Sequence, residues 1–140
     1  MSLIFGILAL AAVPQSATQP ASAETAATAP AAETEAVRAA RDWLVLHDEG
    51  RWSDAWKASA SSFRKLNSVE RWTEVAKSVR PPLGAVISRT LISQEMVPAP
   101  PAGVHVVKFR TRFANKAEAV ETISLARENG AWKMAGIFID

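Results

Sequence analysis

Apolar positions along the chain keep a helical period first and a strand period afterwards. Val37, Ala40, Trp43, Leu44 and His47 recur at helical spacing, with Thr34 placed to cap the start and Gly50 to stop the end. This predicts a first helix over Glu35 to Glu49. A second, shorter helix is expected from Ser53, with Asp54 in its first turn, Trp52 stapling its start, and Trp56 and Phe63 turned inward. Asn67 with Glu70 has capping-box spacing, and Val69, Trp72, Val75, Ala76 and Val79 mark one face of a third helix. Pro81 and Pro82 end it, because neither ring nitrogen can extend the helical ladder.

Beyond Gly84 the period becomes two. Strands are predicted over Ala85 to Val97, Val104 to Phe113, Ala119 to Glu128 and Ala131 to Ile139, with the proline-rich stretch Pro98 to Gly103 as a turn. Asn129-Gly130 accepts the positive φ values of a type I′ hairpin, which sets Glu128 opposite Ala131. Continued without interruption, that register places Leu125 against Met134, Ile123 against Gly136 and Glu121 against Phe138 on one face. For the preceding hairpin, a two-residue loop would turn Lys108, Arg110 and Arg112 onto this face, whereas a three-residue loop turns Val107, Phe109 and Phe113 onto it. Burying three unpaired cations costs several kcal/mol each, about 20 in the idealised limit, so the three-residue loop, Ala114 to Lys116, is expected. The inner face is then apolar except for His105, Thr111 and Glu121, with Glu121 between Phe109 and Phe138. The outer face carries the three cations on one side and an apolar patch of Val120, Ala135, Ile137 and Ile139 on the other. Such a patch on a terminal strand calls for a covering partner, and a homodimer through Val120, Ile137 and Ile139 is the expectation.

The N-terminal stretch changes the cellular picture. Residues 1–23 carry no charge, Leu3 to Val13 has the length of a signal-peptide core rather than of a membrane span, and Ala21-Ser22-Ala23 has the form of a cleavage site. Export to the periplasm or beyond is expected, with cleavage after Ala23, a linker over residues 24–34 and one domain over residues 35–140. No cationic residue precedes the apolar run, a departure from the usual signal pattern. With no Cys, disulfides, thiolate metal sites and cysteine nucleophiles are excluded. The formal charge of the whole chain is +2; from Ala36 onward it is 16 Lys and Arg against 11 Asp and Glu, or +5. A mildly basic exported body suits a small anionic ligand or an anionic envelope surface, and no clustered recognition face marks it for nucleic acid.

Helices followed by a four-stranded antiparallel sheet resemble the cystatin-like or nuclear-transport-factor-2-like (NTF2-like) α+β cone: three N-terminal helices on a curved sheet. The motifs Trp43-Leu44 with Asp48-Glu49-Gly50, Ser53 to Trp56, Arg80-Pro-Pro-Leu-Gly84, Ser88-Arg89, Pro98 to Gly103, Phe113 to Lys116, Glu121-Thr122 and Gly130-Ala-Trp132 through Gly136-Ile-Phe-Ile are similar to the bacterial family catalogued as domain of unknown function 4019. The likeness covers about Thr34 to Asp140. It implies a fold and an envelope location and no reaction.

Candidate chemistry is sparse. No nucleophile elbow, phosphate loop or metal-ligand spacing is present, and the chain has no Tyr to oppose a carboxylate base. Glu121, a carboxyl set among aromatic side chains, is the candidate general acid or base of a small hydrolase or isomerase; its structural alternative is a register-fixing ion pair with Arg110, Arg112 or a helix residue. A proton-shifting or epoxide-opening site would need Asp48, Glu121 and an arginine to converge. His105 is a candidate binding group near neutral pH, with Arg110 for an anion, while His47 on the apolar helix face reads as a core histidine. Neither a cofactor nor a metal is expected, and the leading expectation is a non-enzymatic binding module.

Overall fold

In the computed structural model, residues 33–100 and 103–140 are described; the expected signal segment and most of the linker lie outside them. Helix α1 (Glu35–Asp48) begins as its sequence predicts: Thr34 Oγ1 accepts from Val37 N at 3.2 Å. Its buried face is Val37, Ala40, Trp43, Leu44 and His47, with Ala36 beside them. Gly50, at φ 71°, turns the chain directly into α2 (Trp52–Lys57), which is capped at Arg51 and starts one residue ahead of the expected Ser53 cap.

The second predicted helix is in fact two, so the structure contradicts the count of three. After α2 the helical ladder breaks, and α3 (Ser61–Leu66) follows. The Ser59 hydroxyl donates to Ala55 O at 2.7 Å and accepts from Trp43 Nε1 at 3.2 Å, while Ala60 N donates to Met134 O at 2.7 Å. These bonds draw the backbone onto the sheet where a continuous helix would have left it. Helix α3 has no capping side chain of its own, and the Glu128 carboxylate takes that place, accepting from Ser61 N at 2.8 Å. That bond, together with the Ser61 hydroxyl and against the desolvation of the carboxylate, holds the Glu128 pKa below its ordinary value.

Helix α4 (Val69–Val79) is capped by Ser68, whose hydroxyl accepts from Arg71 N, and not by the expected Asn67. Asn67 is engaged elsewhere: its carbonyl accepts from Trp56 Nε1 at 2.7 Å. A 3-10 turn, Pro81–Leu83, ends the helical half, and Gly84 at φ 78° launches the sheet. Trp43 and Trp72 are buried, and each indole N–H on the helices is satisfied where it is buried, as with Trp72 Nε1 on Trp52 O at 3.0 Å.

Strands β1 (Val86–Val97), β2 (Val104–Phe113), β3 (Lys116–Glu128) and β4 (Ala131–Ile139) form one antiparallel sheet in the order β1-β2-β3-β4. This is an α+β fold. Val107, Phe109, Phe113, Ile123, Leu125 and Met134 are buried, as the inner-face reading predicts. The β2–β3 hairpin reaches that register by another route: the turn is Ala114 and Asn115, Lys116 pairs with Phe113, and an irregularity between Thr111 and Phe113 absorbs the odd residue.

The β3–β4 register departs from expectation beyond Met134. A bulge at Ala135 shifts the pairing, so Ile137 meets Ile123, Phe138 meets Thr122 and Ile139 meets Glu121. A one-residue slip exchanges the two faces of a strand. Phe138 therefore points outward and is 64% exposed, while Ile137 packs against the core. The expected dimer patch loses two of its three members, since Ile137 and Ile139 share the inner parity and Val120 alone remains outside with Phe138.

Candidate functional site

Glu121 lies on the inner face of β3, between Phe109 and Ile139, with 0% of its surface exposed. Its partner is neither Arg110 nor Arg112. Arg89 of β1 donates from Nε to Oε1 at 2.7 Å and from Nη2 to Oε2 at 3.1 Å, and the Thr111 hydroxyl donates to Oε1. Arg89 then reaches the far side of the cluster: Nη1 and Nη2 bond the Asp48 carboxylate at 2.8 and 3.1 Å. Asp48, the last residue of α1, also accepts from Arg80 Nε at 3.3 Å and Nη2 at 3.2 Å. Arg80 closes α4, donates from Nη1 to Gly84 O at 2.6 Å, and lays its guanidinium over the Phe113 ring, 4.7 Å from the centroid.

Two guanidiniums thus meet two carboxylates, and the formal charges cancel. Burial works against the charge of Arg89, but its hydrogen bonds with Asp48 and Glu121 outweigh that and raise its pKa. A buried ion cluster of this kind contributes little net stability compared with an apolar one; losing any single member, by contrast, leaves one buried charge of the cluster uncompensated. Its members come from the ends of α1 and α4 and from β1, β2 and β3, so it pins both helix ends to the sheet.

Asp48, Glu121 and an arginine therefore do converge, in a form that favours structure over chemistry. Both oxygens of Glu121 are occupied, and no surface of it is open. A depression of about 290 Å³ beside the cluster is lined by Asp48, Gly50, Trp52, Arg80 and Gly84, among others, and does not include Glu121.

His47 stands next to Asp48 but faces the other way, into indoles. Its ring stacks on Trp43 and Trp72, with centroids 5.3 and 5.6 Å away, and meets Trp52 edge-on at 5.6 Å. Nδ1 is buried without a hydrogen-bond partner. Burial, and then the charge of Arg80, lower its pKa to about 4 against an opposing pull from Asp48. It is the core histidine its position predicts.

The other candidates do not join Glu121. His105 pairs with Leu125 across β2 and β3, four positions along β3 from Glu121, and packs edge-on against Trp132 at 5.5 Å. Arg110 is exposed on the outer face, where it lines a separate hollow of about 530 Å³ with Lys116, Glu118, Val120 and Asp140. Among the described residues no group of His, Asp or Glu is arranged to hold a metal ion, and no helix is long and apolar enough to cross a membrane.

Sequence reasoning left the converging arginine unidentified, setting Arg89 only beside Lys108, Arg110 and Arg112 as a cation for an anion, and gave Arg80 and Thr111 no part in the cluster. The signal for Arg89 was present: it shares the parity of Leu91, so it is a cation on the apolar side of its strand. Arg80 gave none, because its burial depends on tertiary contacts with Asp48 and Phe113.

An α+β sheet braced by this ion cluster is the class of protein the fold defines. The chain belongs to the family described as protein of unknown function (DUF4019), whose model matches residues 39–137. No curated protein matches it.

Proposed function

We propose that the protein is a non-enzymatic binding module, exported to the bacterial periplasm or secreted, with a cystatin-like or NTF2-like arrangement of helices on its sheet. The observation that carries the non-enzymatic reading is the state of Glu121. A general acid or base must reach the proton it transfers. Here the strongest candidate is enclosed and bound on both oxygens. Binding chemistry is better supported on the outer face, where Lys108, Arg110 and Arg112 stand exposed and form no ion pair among the described residues. A small anionic ligand suits this exposed row of three cations.

Calorimetric titration of the purified protein with di- and tricarboxylates and with inorganic phosphate tests this. Saturable binding that Arg110→Ala weakens at least tenfold is expected; no binding by any of these anions sinks the anionic-ligand reading. Export is checked separately by cell fractionation. The convergence of Asp48, Arg89 and Glu121 favours one alternative, a small hydrolase or isomerase using Glu121 as acid or base. Turnover of an ester or epoxide panel that Glu121→Gln abolishes, in a variant that keeps its circular dichroism, would establish that alternative.

A further inference from the structure

A chain of hydrogen bonds fixes which nitrogen of His105 carries the ring proton. Thr34 Oγ1, which accepts from Val37 N, donates to Gln94 Oε1 at 2.7 Å. The same amide oxygen stands 3.3 Å from His105 Nε2. An amide oxygen only accepts, so Nε2 is the donor and Nδ1 is left as a bare lone pair. Nδ1 is buried, with no hydrogen-bond partner among the described residues. A buried acceptor left unpaired is costly. An imidazole that anchors one nitrogen on an oxygen acceptor and leaves the other bare has the arrangement of a metal ligand.

A second donor stands opposite. Met96 of β1 pairs directly with His105 of β2, so both side chains leave the same face of the sheet, the inner one that carries Val107 and Leu125. Met96 is 52% exposed, which leaves an approach from solvent. Gly103 keeps room beside the thioether, since a Cβ there would stand 3.2 Å from Met96 Sδ. Sδ and Nδ1 each lie two bonds beyond their Cβ, and directly opposed Cβ atoms are about 4.5–5.5 Å apart. Parallel side chains hold the two donors at that separation. One metal–sulfur and one metal–nitrogen bond, with lengths like those at zinc, together span about 4.4 Å.

We infer that Met96 and His105 form a site for a soft monovalent ion, Cu(I), held between the thioether sulfur and Nδ1. Donor chemistry selects the ion: thioether and imidazole together suit Cu(I), whereas calcium and magnesium take carboxylate and carbonyl oxygens. Both donors are neutral, so nothing in the pair draws a hard divalent cation. The +5 body, and the Arg127 guanidinium over Trp132 at 5.6 Å, oppose one. Trp132 in turn packs edge-on against the imidazole, with centroids 5.5 Å apart. His47 also has an unpartnered Nδ1, but its ring neighbours are the indoles of Trp43, Trp52 and Trp72 in place of a thioether. The inference stands independently of the anion reading above, which concerns the other face of the sheet.

Silver(I), equally soft and stable in air, is the probe. NMR of the purified protein above neutral pH is expected to show the Nε2–H tautomer at His105. One equivalent of silver is then expected to shift the Met96 methyl and His105 ring resonances and leave the His47 ring in place, while zinc moves neither donor. Met96→Leu and His105→Phe are each expected to weaken silver binding at least tenfold. The inference is overturned by an Nδ1–H tautomer at His105, by silver shifts confined to His47 or the chain terminus, by zinc shifting the same pair, or by unchanged silver binding in Met96→Leu. The tautomer and the silver shifts are read on the unsubstituted chain, so they decide the matter even if His105→Phe fails to fold.

Discussion

Arg89 Nε lies 2.7 Å from Glu121 Oε1, and the same guanidinium holds Asp48 Oδ2 at 2.8 Å, so one side chain on an edge strand ties the centre of the sheet to the end of α1. Removing one member of a buried ion pair costs about 3–5 kcal/mol, because the survivor keeps its desolvation cost and loses its partner. Arg89→Met and Glu121→Gln are each expected to lower the free energy of unfolding by about that much. The double variant Arg89→Met with Glu121→Gln should cost clearly less than the sum, since no charge is then left stranded on the sheet and Asp48 keeps Arg80. Urea denaturation of the two single variants and the double variant measures this. Additive losses would show that Arg89 and Glu121 are not energetically coupled.

His47 makes stability depend on pH in a stated direction. Its folded pKa is about 4, and an unfolded histidine titrates near 6.5, so below 6.5 the unfolded chain binds the extra proton. The contribution is fully present above pH 6.5 and is lost progressively as pH falls toward 4. A shift of this size is worth up to about 3 kcal/mol, at about 1.36 kcal/mol per unit. His47→Phe, which keeps a ring in the indole cage, is expected to flatten the fall in melting temperature between pH 6.5 and 4. An unchanged slope would assign acid sensitivity to other groups.

Gly84 should resist substitution. Its backbone sits at φ 78° and ψ −167°, a region essentially reserved for glycine, and a Cβ there would lie 3.0 Å from Ala114 Cβ. Its carbonyl also receives Arg80 Nη1. Gly84→Ala is expected to destabilise the protein by about 2–3 kcal/mol. Gly130→Ala provides the comparison: φ is 79°, nothing stands within 4 Å of the added carbon, and the expected loss is about 1 kcal/mol. Equal losses in thermal denaturation would mean that backbone strain alone matters and the crowding at Ala114 does not.

What could be read from the sequence was whatever rests on period and on local turn chemistry. Helix α1, its Thr34 cap and the buried set Val37 to His47 follow from spacing, and the ends of β2 and β4 follow from their flanking turns. The inner placement of Glu121 follows from the cost of burying Lys108, Arg110 and Arg112. Features that depend on tertiary contacts could not be read this way. The break between α2 and α3 is set by Met134, 74 residues after Ala60, and the cap of α3 by Glu128, 67 residues after Ser61. The partner of Glu121 comes from β1, two strands away, and pattern reasoning fixed no register between β1 and β2. Bulges are the other blind spot, since one inserted residue leaves no mark on composition.

The bulge at Ala135 supplies the sharpest contrast between pattern and structure. Uninterrupted pairing from Asn129-Gly130 would bury Phe138 beside Glu121 and expose Ile137. With the bulge, Phe138 is 64% exposed and Ile137, paired with Ile123, packs against the core. Truncating a large buried side chain costs about 2–5 kcal/mol, whereas an exposed one usually costs under about 0.5. Ile137 is partly buried, so Ile137→Ala is expected to lose about 1–3 kcal/mol. Phe138→Ser should change the unfolding free energy by less than about 0.5 kcal/mol. Deleting Ala135 should cost more than either, because it forces Phe138 against the Arg89–Glu121 pair and carries Ile137 out to solvent. Urea denaturation of the three variants orders them, and a Phe138→Ser loss larger than that of Ile137→Ala would restore the unbulged register.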